Sequence, residues 1–192
     1  MRPVILVVLG YPGTGKFTVS KELVSRFADG GRPVRLVDNH ATANVLFDLI
    51  AEADGQSVLP PKVLENVREM NLIVARTIEE LSPPEWSFVF THHLRNNERS
   101  HSYLGRLQGI AKHRDSTFLP VVLTCEKDVL IKRVTESGRR DRNKLVDPSI
   151  AGDIIEGGML VPVDSLTIDT TLRSPMETAR IILDELVRRA EV

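Results

Sequence analysis

Near its start the chain runs from an unbroken apolar stretch, Val4 to Leu9, straight into glycines: VILVVLGYPGTGKFTVS, from Val4 to Ser20. An apolar run without polar alternation is the pattern of a strand buried on both faces, as in a parallel sheet. It ends in Gly10, Gly13, Gly15 and Lys16, and Val19, Leu23, Val24 and Phe27 then follow at helical spacing. Strand, glycine loop, lysine and helix predict a loop that holds phosphate. Glycine lets a backbone curl so that several N–H groups converge on one anion. The helix start adds further N–H groups and the positive end of its dipole. Lys16 adds a mobile full charge. Gly10, Pro12, Gly13, Thr14, Gly15, Lys16, Phe17 and Thr18 are therefore the expected cradle for a nucleoside triphosphate.

One position departs from the G-x-x-x-x-G-K-[ST] spacing. Phe17 stands where a hydroxyl normally binds Mg²⁺, and Thr18 follows it. Thr18 is expected to reach the α-phosphate, while water or a carboxylate takes over the metal ligand. The bland alternative is a glycine turn between a core strand and a core helix.

The rest of the composition narrows the class. A chain of 192 residues is expected to form a single domain, 1–192, with a sizeable core. A net charge of −1 does not favour nucleic acid or anionic membrane as a partner. The lone Cys125 excludes an internal disulfide and suits a reducing, cytoplasmic setting. The first apolar run is short and leads into glycines rather than a cleavage site, so no signal peptide is expected. No stretch is long enough to cross a bilayer.

Further strands and helices alternate along the chain. Pro33 to Val37 reads as a second strand ending in Asp38, Asn39 and His40. Function in open α/β sheets gathers at the carboxyl ends of strands. Placed beside the first strand, this one would aim Asp38 at a γ-phosphate. There it could accept a proton from an attacking hydroxyl or hold Mg²⁺ through water. The competing reading is that Asp38 or Asn39 only caps the next helix. A helix is expected over 41–53 with Val45, Leu46, Leu49 and Ile50 on one side. A second starts at Pro60-Pro61, carries an apolar stripe from Val63 to Leu81, and stops at Pro83-Pro84. This helical region, about 41–82, would wall an acceptor pocket. Arg68 and Arg76 fit a solvated face better than a substrate contact.

A third strand, Ser87 to Phe90, ends in Thr91-His92-His93-Leu94-Arg95. Successive strand side chains point to opposite faces, so His92 and His93 cannot share one metal. His92 and Arg95, with His40, are candidate contacts to an anionic or hydroxylated substrate. A polar strand end is the alternative for the histidines. A helix over 97–112, a fourth strand over 118–125 and a helix over 127–135 follow. Lys132, Arg133, Arg139, Arg140, Arg142 and Lys144 then crowd together around Gly138. Such charges repel unless an anion sits among them, and arginine forks suit the oxygens of a transferring phosphoryl group. A lid over about 136–149 is expected, with an exposed basic helix end as the alternative. Ile150 to Ile155 reads as a helical turn. A less apolar fifth strand, Leu166 to Thr170, suits a position nearer an edge, and a capping box at Ser174-Pro175-Met176-Glu177 opens the last helix.

Five strands alternating with helices define a doubly wound, mostly parallel α/β sheet with helices on both faces. With GYPGTGK at the start, VDNH after the second strand, an Arg-rich segment and a terminal LTIDTT before a helix, the chain resembles the nucleoside-monophosphate-kinase-like group of P-loop kinases. Shikimate kinase, gluconate kinase and chloramphenicol phosphotransferase are small-molecule relatives in that group. The resemblance implies ATP as donor with Mg²⁺, an Arg lid mapping onto Arg133, Arg139 and Arg142, and an acid after the second strand matching Asp38. It implies an ATP-dependent phosphotransferase acting on a small hydroxylated or anionic molecule, with Lys16, Asp38, Arg139 and Arg142 as catalytic groups. Phe17 supports a second reading, a nucleotide-binding regulatory module without fast chemistry. A nucleotide-dependent hydrolase lacks support, since the third strand ends in Thr91 rather than an acid.

Overall fold

The computed structural model describes residues 2–50, 56–136 and 144–190. Its centre is β1 (Val4–Gly10), in which every residue is buried. Alternate β1 side chains serve two cores. Val4, Leu6 and Val8 pack with Val19, Leu23 and Phe27 of α1 (Lys16–Asp29) and with Ala179, Ile182 and Leu186 of α7 (Pro175–Ala190). Ile5, Val7 and Leu9 face the other way, onto Ala75 and Ile78 of α3 (Pro61–Leu81) and Leu107, Ile110 and Ala111 of α4 (Glu98–His113). A period of two on a strand and of 3.6 on a helix is what lets one strand feed both layers.

Around β1 lie β2 (Val34–Asp38), β3 (Ser87–His92), β4 (Thr117–Thr124) and β5 (Leu166–Asp169), in the order β2-β3-β1-β4-β5, with every pairing parallel. This is the expected doubly wound sheet, and β5 is at an edge. The second strand is not beside the first. β3 lies between them, pairing Val8 with Thr91 on one side and Thr91 with Asp38 on the other. The burial patterns give the reason. β3 is buried at every residue, whereas Arg35 of β2 is exposed, its guanidinium 4.0 Å from the Trp86 ring centroid. A strand with an exposed cation suits the edge better than the interior.

The helix after β2 also differs from expectation. α2 covers Asn39–Phe47 and buries Ala43 and Phe47, while Val45 and Leu49 are exposed. Starting at Asn39 turns the buried stripe onto the Ala43–Phe47 spacing, which meets Val63 and Val67 of α3 in a small separate core. Leu81 ends α3 exposed. α5 (Lys127–Val134) and α6 (Pro148–Glu156) complete the mouth of the sheet, joined through Leu130, Val134 and Ala151. α6 is longer than the single turn expected. Pro148 at its first turn and Asp147 accepting from the Ser149 and Ile150 amides start it earlier. The expected capping box is present: the Ser174 amide donates to Glu177 (2.8 Å) and the Glu177 amide to Ser174 Oγ (3.2 Å). Among the described residues no helix is long and apolar enough to cross a membrane.

Candidate active site

The glycine loop is shaped by what surrounds it. Gly13 has φ +93°, and a Cβ there would stand 2.9 Å from the Leu130 carbonyl oxygen. Backbone conformation and crowding from α5 both require glycine at this position. Gly15, at φ +87°, is the N-cap of α1 and offers no side-chain cap; no acidic residue occupies the helix's first turn. The first turn of a helix presents N–H groups with no helical acceptor, and here no carboxylate competes with an incoming anion for them. Thr14 is fully buried and donates its hydroxyl to the Tyr11 carbonyl (2.9 Å), while its own carbonyl accepts from Thr170 Oγ1 at the end of β5 (3.1 Å). Lys16 Nζ folds back onto the Gly10 and Tyr11 carbonyls (2.7 and 2.8 Å).

Two cavities meet at this loop. The first, about 380 Å³, is bordered by Gly13, Thr14, Gly15, Phe17 and Thr18 together with Arg133, Lys144 and Arg173. Arg133 is held in place: its guanidinium donates to the Thr170 and Thr171 carbonyls (3.0 and 3.1 Å) and approaches Cys125 Sγ at 3.6 Å. It therefore belongs to the fixed wall of α5 rather than to a moving flap. Arg173 was not visible as a site residue, because it follows the last strand in an otherwise unremarkable loop.

The second cavity, about 570 Å³, opens beside Lys16. Asp38, His40, His92 and Arg95 all border it, so the ends of β2 and β3 and the loop converge although β2 is one strand further out than expected. Asp38 is nearly buried, and its Oδ1 accepts from the Thr91 hydroxyl at 2.5 Å. Thr91, in the position where a strand-end acid was absent from the sequence, thus orients the acid of its neighbour. The Asn39 amide donates to Thr91 Oγ1 (3.2 Å), and Asn39 continues through Asn71 to Thr42, tying α2 and α3 to the strand ends. Asp38 is the N-cap residue of α2 but makes no side-chain cap bond, so its carboxylate is not committed to that helix.

His92 is a buried wall residue. Its Nε2 shares a hydrogen bond with the Tyr103 hydroxyl (3.1 Å), and its ring stacks on Phe90. Burial pushes its imidazole down to about 4; Asp38 opposes the fall and Lys16 adds to it. His93, on the opposite side of the strand end, packs on Tyr11 and also borders the cavity. Burial first, then Lys16 and Arg95, hold it near 4 as well. Its buried Nε2 has no hydrogen-bond partner among the described residues. Arg68 of α3 is exposed, as a solvated face requires, and also borders the cavity; Arg76 is exposed and outside it. Phe47, Leu59, Leu64 and Val67 form an apolar wall opposite Ile150 and Ile154 of α6. Arg139 and Arg142, with half of the expected lid, lie outside the described residues.

The donor set for a divalent metal is small. Among the described residues no three His, Cys, Asp or Glu converge, and the side chain after Lys16 is a phenyl ring. Among the described residues Asp38 is the only acid bordering the second cavity. One carboxylate with water and phosphate oxygens is a donor set that Mg²⁺ accepts, so Asp38 fits such an ion and would hold it through water.

A glycine loop wrapped around a helix start, at the head of a five-stranded parallel sheet of this order, is the fold of P-loop kinases. No family model and no curated protein matches the sequence. Solved structures do match. A gluconokinase from Sinorhizobium meliloti 1021 superimposes with TM-score 0.63 at 18% identity, over 100% of this chain and 96% of that one. Mycobacterium tuberculosis APS kinase, in complex with AMPPNP and APS, gives 0.62 at 16% over 96% and 98%. Acinetobacter baumannii shikimate kinase, in complex with shikimate, gives 0.58 at 15% over 97% and 94%. These neighbours are small-molecule kinases, and what they share with this chain is the fold.

Proposed function

We propose that this protein is an ATP-dependent phosphotransferase whose acceptor is a small molecule with a hydroxyl, an anionic group and an apolar body. The observation that carries the reading is Asp38: a nearly buried carboxylate, oriented by Thr91, in a cavity that shares Lys16 with the glycine loop. The nucleotide occupies the first cavity with its phosphates on the Gly13–Thr18 backbone. Lys16 leaves the Gly10 and Tyr11 carbonyls for the β- and γ-phosphate oxygens, which offer it full negative charge. The acceptor hydroxyl lies in the second cavity beside Asp38. Its oxygen bonds to the γ-phosphorus as the bond to the β–γ bridging oxygen breaks, ADP departs, and the hydroxyl proton passes to Asp38. Mg²⁺, when bound, neutralises charge on the phosphate oxygens. Arg139 and Arg142 close over the transferring group, excluding water.

The acceptor's character follows from the walls. Arg68 and Arg95 provide for an anionic group, and neutral His93, whose Nε2 has no partner among the described residues, provides a hydrogen bond without adding charge. The apolar faces from α2, α3 and α6 would be wasted on a purely polyhydroxylated molecule. ATP consumption measured against a panel of hydroxylated acids with and without apolar rings tests this. One class should accelerate consumption at least tenfold, and Asp38→Asn should remove roughly a hundredfold or more of that rate with nucleotide affinity nearly unchanged. If no acceptor accelerates consumption while ATP binds tightly, the protein is the regulatory module that Phe17 suggests.

A further inference from the structure

Phe17, the residue that breaks the phosphate-loop pattern, is also the one that carries a second lysine. It is the second residue of α1, and its ring borders both cavities. Lys144 Nζ lies 4.4 Å from the ring centroid, and Lys144 borders both cavities too. The distance is well inside the range of a cation–π contact. Lys21 Nζ, on the exposed side of the helix, is 5.8 Å from the same centroid and borders neither cavity.

The place is electrostatically costly for an ammonium. The start of a helix is its positive end, Lys16 is the adjacent residue, and Arg133 and Arg173 border the same first cavity, with Glu136 the one acid among its described lining. An aromatic face offsets part of that repulsion, which a serine or threonine hydroxyl at this position would not do. The remainder is offset when a polyanion lies among the cations. We propose that Lys144, seated on the Phe17 ring, is a phosphate-binding residue that meets the outer phosphate oxygens where the two cavities join. This rests on the kinase reading of the cavities and assigns Phe17 a role within it. Where the usual pattern has a hydroxyl for the metal, this chain has a platform for a cation. The protein itself then carries part of the charge compensation, so nucleotide affinity depends less on a divalent ion.

Binding of a fluorescent ATP analogue to the full chain, in Mg²⁺ and in excess EDTA, tests this without any turnover. Wild type should retain measurable affinity in EDTA. Lys144→Met should weaken binding about tenfold or more in EDTA and less in Mg²⁺, and Lys144→Arg should restore most of the loss. Phe17→Leu, which keeps an apolar side chain without a π face, should weaken binding about threefold. Lys21→Met should match wild type. Circular dichroism melts identify any variant that loses its fold, and the Arg variant covers that case for Lys144. Equal affinity of wild type and Lys144→Met in EDTA overturns the assignment and leaves the kinase reading standing. A wild-type protein that binds no nucleotide in either buffer overturns both.

Discussion

His92 shows how much of a residue's behaviour is set by its neighbours. Phe90 stacks on it, Tyr103 bonds its Nε2, and both close it off from water. Its imidazole is neutral in the folded state down to about 4, against 6.5 for an exposed group. Between those two values the unfolded chain binds a proton that the folded chain does not, so stability is whole above about pH 6.5 and falls as pH drops toward 4. For His92 alone the loss is on the order of 3 kcal/mol, and His93 acts in the same direction. Urea midpoints at about pH 7.5 and 4.5 should therefore differ more for wild type than for His92→Gln, which cannot take up the proton; equal differences would contradict this account. From the sequence, His92 was a candidate substrate contact or a polar strand end. Its full burial was not legible, because Tyr103, which completes its enclosure, comes from the next helix. Asp38 and Lys16 were legible, since strand ends and glycine loops announce themselves by local pattern. Arg68 was not, since a charged residue on a helix carries no signal until the cavity beside it is known, and Lys144 was legible only as one of a basic cluster, without its seat on the Phe17 ring.

Among the elements, the helix pair α3 and α4 depends on Arg114. This nearly buried residue just past α4 donates to the carbonyls of Ile78, Ser82 and Pro83 (2.8, 3.0 and 2.6 Å) and lies 5.3 Å from the Phe88 ring centroid. It thereby satisfies the C-terminal end of α3, whose last carbonyls have no helical donors. Arg114→Met should lower unfolding stability by about 3 kcal/mol, read from denaturant midpoints, and Arg114→Lys should recover little because an ammonium lacks the fork. A loss below about 0.5 kcal/mol would show that water replaces these bonds. Elements with strong one-dimensional pattern were readable in advance: β1 as an unbroken apolar run, α3 between two proline pairs, α7 by its capping box. α2 was placed and half of its apolar set was right. Leu46 and Ile50 pack on the small core, whereas Val45 and Leu49 are exposed and Ala43 and Phe47 are what fit against Val63 and Val67. Packing partners chose the stripe, not hydrophobicity alone.

For the whole molecule, alternation of strands and helices implied a parallel doubly wound sheet, but not which strand lies beside which. Strand order follows from which segments can be buried on both sides, and the exposed Arg35 sends β2 to the edge while β3 takes the interior. The consequence for function is small only because Thr91 spans the gap and holds Asp38 toward the cavity. Two cavities that share Gly13, Gly15, Phe17, Thr18 and Lys144 place a donor and an acceptor on either side of one loop. That juxtaposition depends on the loop gripping a triphosphate. Isothermal titration of ATP into the folded full chain, with Mg²⁺ present, measures this directly. A one-to-one binding heat that disappears in Lys16→Met, and in Gly13→Ala where a Cβ would meet the Leu130 carbonyl, is the result expected. Absence of any heat from wild-type protein, or equal heats from all three, would contradict it.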